Sequence, residues 1–245
     1  MKKFGLLFVT ALTMIAGAAG QKPADLPMQE FLLRARRSNA VATYAMLDGT
    51  LQHRRRGKDA VTMPVYFGMI IHPDRTFGQL ILDGDEGYML SQAKGSGVTS
   101  MVPMNPQKDG SSKLDAVGVR ADDLVLSFLF CPPLKELEPE TIRGLVPCRV
   151  FLLDNKEKKE TVKVWISREH AFPFRAEFIK YGEKEPYRDL EAGALTKKND
   201  LYYIRRVQLS GPGWMTKIDF DERYAAVGLH DEKSPAPVFR KLNKR

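Results

Sequence analysis

The sequence predicts a mainly β protein of the α+β class. It would be one large curved antiparallel sheet of about ten or eleven strands, wrapped over two or three helices. Three observations predict this. Apolar residues alternate with a period of two along most of the chain. Clusters of Gly, Asp, Asn and Pro punctuate these runs at hairpin spacing. Only two segments, one soon after residue 24 and one at 121–130, carry a helical apolar pattern. The 245 residues are 43% hydrophobic and 28% charged, enough apolar material for a substantial core and too much for global disorder.

The chain opens MKKFGLLFVTALTMIAGAAGQ: a basic start, an apolar run from Phe4 to Ile15, then small residues. This is the pattern of a secretory signal peptide over residues 1–20, leaving 21–245 as a single exported domain. The run is too short for a membrane anchor, which needs ~20 apolar residues. No cysteine follows the cleavage region, so the mature chain is not expected to be a lipoprotein itself. Removing Lys2 and Lys3 lowers the formal charge from +8 to +6. Export argues against nucleic acid as a partner, and leaves an anionic partner or a membrane surface open.

DLPMQEFLLRARRSNA reads as an amphipathic helix. Leu26, Met28, Phe31, Leu32 and Ala35 form its apolar stripe, Asp25 is placed to cap it, and Arg34, Arg36 and Arg37 lie on its solvated side or near its carboxyl end. Strands follow: VATYAMLDGTLQHRRR, VTMPVYFGMIIHP, RTFGQLILDG and, after the turn DGDEG, GYMLSQ. The stretch from Lys94 to Ser112 reads as a long loop, which is usually mobile or functional. ADDLVLSFLF, residues 121–130, reads as a short apolar helix capped by Asp122 or Asp123 and stopped by Pro132 and Pro133. A second series of strands runs through TIRGLVPCRVFLLDN, ETVKVWIS, FPFRAEFIKYG, YRDLEAG, DLYYIRRVQLS and GWMTKIDFDER, and a short tail, APVFRKLNKR, ends the chain.

Signals for catalysis are missing. None of the four histidines, His53, His72, His170 and His230, lies three or four residues from another, so zinc spacing is absent. There is no G-x-S-x-G, P-loop or dinucleotide fingerprint. The acids Asp83, Asp85 and Glu86 read as a hairpin turn rather than a calcium loop. Asp122 and Asp123 read as helix-start acids, and HRRRGK at 53–58 as a solvated hairpin end. The two cysteines, Cys131 and Cys148, leave three readings open: a disulfide in an oxidising compartment, a reactive thiol, or two buried thiols. No cofactor or metal is implied.

The positive signal is apolarity on both faces of the strands. In VTMPVYFGMII, Met63, Val65, Phe67, Met69 and Ile71 share one face, and Tyr66 and Ile70 the other. Val150 and Leu152 oppose Phe151 and Leu153. In VKVWISREHAFPFRAEFI, Trp165 opposes Val162, Val164 and Ile166. Two apolar faces mean that both are covered, or that one lines an apolar cavity.

RADDLVLSFLF, then ETIRGLVPCRVFLL, KVWISREHAFPFRAEFI and DLYYIRRVQLSGPGWMTKIDFDE, taken in that order, resemble the outer-membrane lipoprotein-sorting proteins, the LolA-like group. The resemblance covers residues 25 to 225 in layout and is specific from about 120 onward. It implies a half-open antiparallel β-barrel with its helices as a lid, located in the periplasm. The concave face would bind the acyl chains of a lipoprotein or lipid for sorting to the outer membrane, without enzymatic activity. It also implies a membrane-protein partner at the inner or outer membrane, and a monomer. The alternative is an envelope interaction or sensor protein with the same fold and no transported lipid. The residues expected to line the cavity are Val65, Phe67, Met69, Leu80, Leu82, Met89, Val150, Leu152, Trp165, Phe174 and Phe178. Relatives place a strand arginine in the cavity that influences lid closure. VTMPVYFGMII holds no arginine and Arg75 lies in the next turn, so that role has no residue assigned to it.

Overall fold

A computed structural model describes residues 25–36, 42–105, 112–231 and 237–242. The expected signal peptide, Arg37 and part of the 94–112 stretch lie outside them. Thirteen antiparallel strands form one sheet that does not close on itself. They are β1 (Thr43–Arg55), β2 (Val61–Ile71), β3 (Arg75–Leu82), β4 (Glu86–Ala93), β5 (Ser100–Pro103), β6 (Pro133–Ile142), β7 (Val146–Asn155), β8 (Glu160–Ser167), β9 (Pro173–Lys180), β10 (Arg188–Lys198), β11 (Leu201–Gly211), β12 (Trp214–Phe220) and β13 (Ala226–Leu229). Their order is β5-β4-β3-β2-β1-β12-β11-β10-β9-β8-β7-β6. Strand β1 closes the two halves of the chain together. Its first residues pair with β13 and its later ones with β12, while β2 runs along its other side.

Three strands exceed the expected set, for identifiable reasons. Strand β6 is an edge strand, mostly exposed, with Pro133 and Pro139 in it. Edges tolerate proline because one row of N–H groups needs no partner. TIRGLVPC is not continuous. It turns at Arg143 and Gly144, both at positive φ, and so divides β6 from β7. Strand β5 is a four-residue edge inside the expected loop, and β13 continues the line of β12 after a turn.

Three short helices, α1 (Met28–Ala35), α2 (Lys113–Ala116) and α3 (Ala121–Val125), pack on the concave side. The amphipathic stripe of α1 buries Phe31 and Leu32 as its spacing requires. The Phe31 ring stacks on Phe151 of β7 at 5.7 Å between centroids. Asp25 does not cap α1: Pro27 holds the N-cap position, without a side-chain cap. Arg36 lies at the carboxyl end of α1, as expected, and is half-buried. It donates through Nε to the Leu129 carbonyl at 2.6 Å and through Nη2 to that of Cys131 at 2.9 Å. Arg149 of β7 holds the start of α1 by donating to the Leu26 carbonyl at 2.6 Å. Its guanidinium lies 4.4 Å from the Phe31 ring centre and is paired with both oxygens of Glu136.

The expected helix at 121–130 is two pieces. Helix α3 ends at Leu126, which adopts the left-handed conformation (φ 52°), and a 3-10 turn covers Ser127–Phe130. A bulky residue in that region is strained. The first turn of α3 is capped as the paired acids suggest. Asp123 accepts the Arg120 backbone N–H at 2.7 Å.

The convex face explains half of the apolar excess. The tail at residues 237–242 crosses it over β1–β4. The Tyr66 hydroxyl donates to the Val238 carbonyl at 2.5 Å, and the Gln79 side chain pairs with the backbone of Arg240 in both directions. Arg240 stacks 3.6 Å over the Tyr66 ring and grips both oxygens of Asp48. Gly68 is required here, because a β-carbon would lie 2.6 Å from the Val238 carbonyl oxygen.

Cys131 and Cys148 form no disulfide. Both are buried free thiols. Cys131 sits in the main core and Cys148 in a separate cluster on the outer face with Val150 and Trp165. Burial pushes each thiol up to about 11.

Candidate functional site

Alternation decides what faces inward. From β1 these are Ala45, Leu47 and Leu51; from β2, Met63, Val65, Phe67, Met69 and Ile71; from β3, Leu80 and Leu82. Val162, Val164 and Ile166 of β8, Ala176 and Phe178 of β9, Leu190 and Ala192 of β10 and Val207 and Leu209 of β11 complete the apolar wall.

The expected cavity residues divide between the two faces. Val65, Phe67, Met69, Leu80, Leu82 and Phe178 join the interior, and Phe174 packs against it half-buried. Val150 and Trp165 lie on the opposite face and form their own cluster. Leu152 shares their side of β7 by alternation. Met89 pairs with Gln79, which bonds the tail crossing the convex face, so it points outward too. The facing of these four is corrected. Trp165 is only 3% exposed although it faces away from the interior. β6 covers it, Glu140 accepts its Nε1–H at 2.8 Å, and Lys163 and Arg175 stack on its ring. A buried tryptophan on an alternating strand signals a covered face, but not which of the two faces is concave.

Residues 112–131 lie over the concave wall as a lid. Leu124, Val125, Leu126, Phe128 and Leu129 fill the interior, and Phe128 meets Phe178 edge to face at 5.6 Å. Where lid meets wall, a residual cavity of about 30 Å³ remains. Phe67, Met69, Leu190, Ala192, Tyr203, Val207 and Phe220 line it from the sheet, and Asp123, Leu124 and Leu126 from the lid. That is an order of magnitude below the ~300 Å³ at which small-molecule pockets begin. The lid's own leucines therefore occupy the space that a ligand would need. The Tyr203 hydroxyl, on the cavity wall, is buried without a hydrogen-bond partner, as is that of Ser127 in the lid. A groove of about 250 Å³ flanks the lid outside, between Val98, Met101, Val119, Arg120, Asp122 and Lys158.

Polar contacts seat the lid. Arg188 of β10 is 3% exposed and points into the interior. It donates from Nη1 to Asp123 Oδ1 at 2.6 Å, from Nη2 to Asp123 Oδ2, and from Nη2 to the Gly118 carbonyl at 3.0 Å. Asp123 itself is 2% exposed. Thr216 donates to the Val117 carbonyl, so its hydroxyl accepts from His53 Nδ1, 2.8 Å away. Burial lowers the pKa of that imidazole, and Arg55 adds to the effect. Arg120, in the lid, donates to the Tyr187 hydroxyl at 2.5 Å and pairs with the buried Glu160, which also accepts from Asn155 at 2.9 Å. Lys158 pairs with Asp122. Burial, with Arg120 and Arg188 nearby, pushes its ammonium down to about 8. The lid's first turn is tied to the β3–β4 hairpin. Lys113 donates its N–H to Glu86 at 2.7 Å and its Nζ to Asp85 at 2.6 Å.

None of these polar residues stood out in the sequence as a site. Arg188 and Asp123 are 65 positions apart, and each reads locally as an ordinary charged residue. Arg188 and Arg149 are buried strand arginines on the interior side, neither of them in VTMPVYFGMII. Among the described residues no cluster of three metal-ligating side chains occurs, and no helix is long and apolar enough to cross a membrane.

No family model matches the chain, and no curated protein matches its sequence. Solved structures do resemble it. A DUF1329 family protein from Desulfovibrio piger is 12% identical with a TM-score of 0.58, over 84% of this chain and 92% of the other. A domain described as an outer membrane lipoprotein-sorting protein, from Vibrio parahaemolyticus, is 12% identical with a TM-score of 0.54, over 82% and 90%. A LolA superfamily protein from Nitrosomonas europaea is 12% identical with a TM-score of 0.54, over 88% and 98%. The chain adopts a LolA-like fold.

Proposed function

We propose that this protein is a non-enzymatic periplasmic carrier that binds the acyl chains of a lipoprotein or lipid under its lid, for sorting to the outer membrane. The observation that carries this reading is what closes the apolar face. The concave wall is covered, among the described residues, by short, separately seated segments, not by a second sheet or long helices, and an unfilled apolar space lies at their junction with the wall. Leu124, Leu126 and Phe128 act as placeholders for cargo. An acyl chain that displaces them loses its water at ~0.8 kcal/mol per CH₂. It thereby offsets the apolar contacts that the lid gives up. Leu126, strained at φ 52°, stands between the two halves of the lid as the place where it bends.

A second reading, an envelope interaction or sensor protein without transported lipid, is favoured by one observation, the nearly filled interior. Binding of acyl ligands to the purified protein separates the two. Ligand at one hundred times its dissociation constant stabilises the folded state by about 2.7 kcal/mol. For a chain of this size that raises the melting temperature by roughly 5–10 °C. Stabilisation that grows with acyl chain length supports the carrier. No stabilisation by any long-chain amphiphile contradicts it.

A further inference from the structure

We propose that the cargo is an amphiphile with one anionic head, a carboxylate or a phosphate, and that Arg188 receives this head where Asp123 sits while the lid is closed. The proposal rests on the carrier reading above and adds the chemistry of the head group.

Arg188 belongs to the wall, and both of its acceptors belong to the lid. The Asp123 carboxylate takes two of its donors and the Gly118 carbonyl takes one. Any withdrawal of the lid removes them together. The guanidinium cannot shed its proton, and a charge left in an apolar interior without a partner is strongly disfavoured. Glu160 does not take over. By strand register Arg188 faces Phe178 of β9, and Phe178 faces Val162 of β8, so Glu160 stands two strands away with the Phe178 ring between. Glu160 also keeps the Asn155 and Tyr187 donors when the lid's Arg120 leaves.

Apolar cargo that fills the opened interior and excludes water therefore needs another anion at Arg188. A carboxylate or phosphate offers two oxygens in the geometry that Asp123 now fills, and charge-assisted pairs of this kind are strong and directional. The Phe178 ring, 5.2 Å from the guanidinium, flanks the position. Leu190 lies two residues further along β10 on the same face, followed by Ala192, so a chain attached to the head runs directly onto the apolar wall of the cavity. Cargo with a neutral head leaves Arg188 bare, and the closed lid wins.

The test compares palmitate, hexadecyl phosphate and hexadecanol on the full chain by titration calorimetry. At least one of the two anions should bind roughly tenfold or more tightly than hexadecanol. Preference for palmitate alone or for the phosphate alone supports the proposal and names the source of the anion. Arg188→Met should abolish the preference, so that palmitate, hexadecyl phosphate and hexadecanol bind with similar affinity. Asp123→Asn removes the competing charge and keeps a hydrogen-bonding side chain. By loosening the lid it should tighten all three ligands, and the anions roughly tenfold more than hexadecanol; it decides the matter if Arg188→Met does not fold. Equal affinities for all three ligands in the wild type and in Asp123→Asn overturn the anionic head while leaving the carrier standing. No binding of any of them overturns the carrier reading itself.

Discussion

Asp123→Ala isolates the contact that holds lid to wall. The Asp123 and Arg188 side chains are 1% and 3% exposed, so solvent does little to screen the pair. Removing the carboxylate leaves Arg188 with the Gly118 carbonyl alone. Removing one partner of a buried ion pair costs about 3–5 kcal/mol, because the other charge stays buried and uncompensated. The substitution also removes the cap on the Arg120 N–H, worth about 1 kcal/mol, which is smaller than the spread of that range. At roughly 2–4 °C per kcal/mol, the melting temperature should fall by about 6–20 °C. Urea unfolding followed by tryptophan fluorescence reads the same loss as a lower midpoint at unchanged slope. The decisive comparison is the double variant Asp123→Leu/Arg188→Met. An apolar replacement of both partners is often neutral or better, so it should return to within about 1 kcal/mol of wild type. A loss below about 1 kcal/mol in Asp123→Ala, or a double variant as unstable as the sum of the singles, would refute this account of how the lid is seated.

Three further outcomes follow from the same structure. Cys131 and Cys148, both raised to about 11, should resist thiol reagents in the folded protein at pH 8 and react in denaturant. Their folded pKa lies above the ordinary value of 9, so their contribution is intact below pH 9 and lost as pH rises towards 11. The urea midpoint of wild type should fall over that window relative to a Cys131→Ala/Cys148→Ala variant. Lys158, lowered to about 8 from 10.5, should titrate first among the described lysines when dimethyl-lysine resonances are followed by NMR; its contribution to stability grows as pH rises between those values and is lost as pH falls through 8. Arg240→Ala should cost only about 1 kcal/mol in urea unfolding. Its ion pair with Asp48 is more than a third exposed and contributes little, and the stack on Tyr66 supplies most of the loss.

The sheet was legible where strands alternate cleanly and end in turn residues. VTMPVYFGMII placed Met63 through Ile71 on one face, and that face is the interior. It was illegible at the edges. PLKELEPETI has two prolines and mostly exposed residues, so nothing local marks it as a strand until β7 pairs with it. Facing failed at β7 and β8 because both sides of these strands are buried. Cys148, Val150 and Trp165 look from sequence as interior as Phe151 and Val164 do, and only the covering by β6 separates the clusters. The polar seat of the lid was hidden for a different reason. Asp123 was visible as a helix-start acid and performs that role, but its second partner lies on β10, and no local pattern encodes a pairing between lid and wall.

The central claim is that the interior under residues 112–131 opens to hold an acyl chain. Native mass spectrometry of the protein purified from a cell-envelope fraction tests it most directly. Phe67→Asp, which places a carboxylate on the cavity wall, serves as the control. The account predicts a wild-type species carrying an adduct of lipid mass, absent from Phe67→Asp. A clean apo mass for wild type, or the same adduct on both proteins, would contradict it.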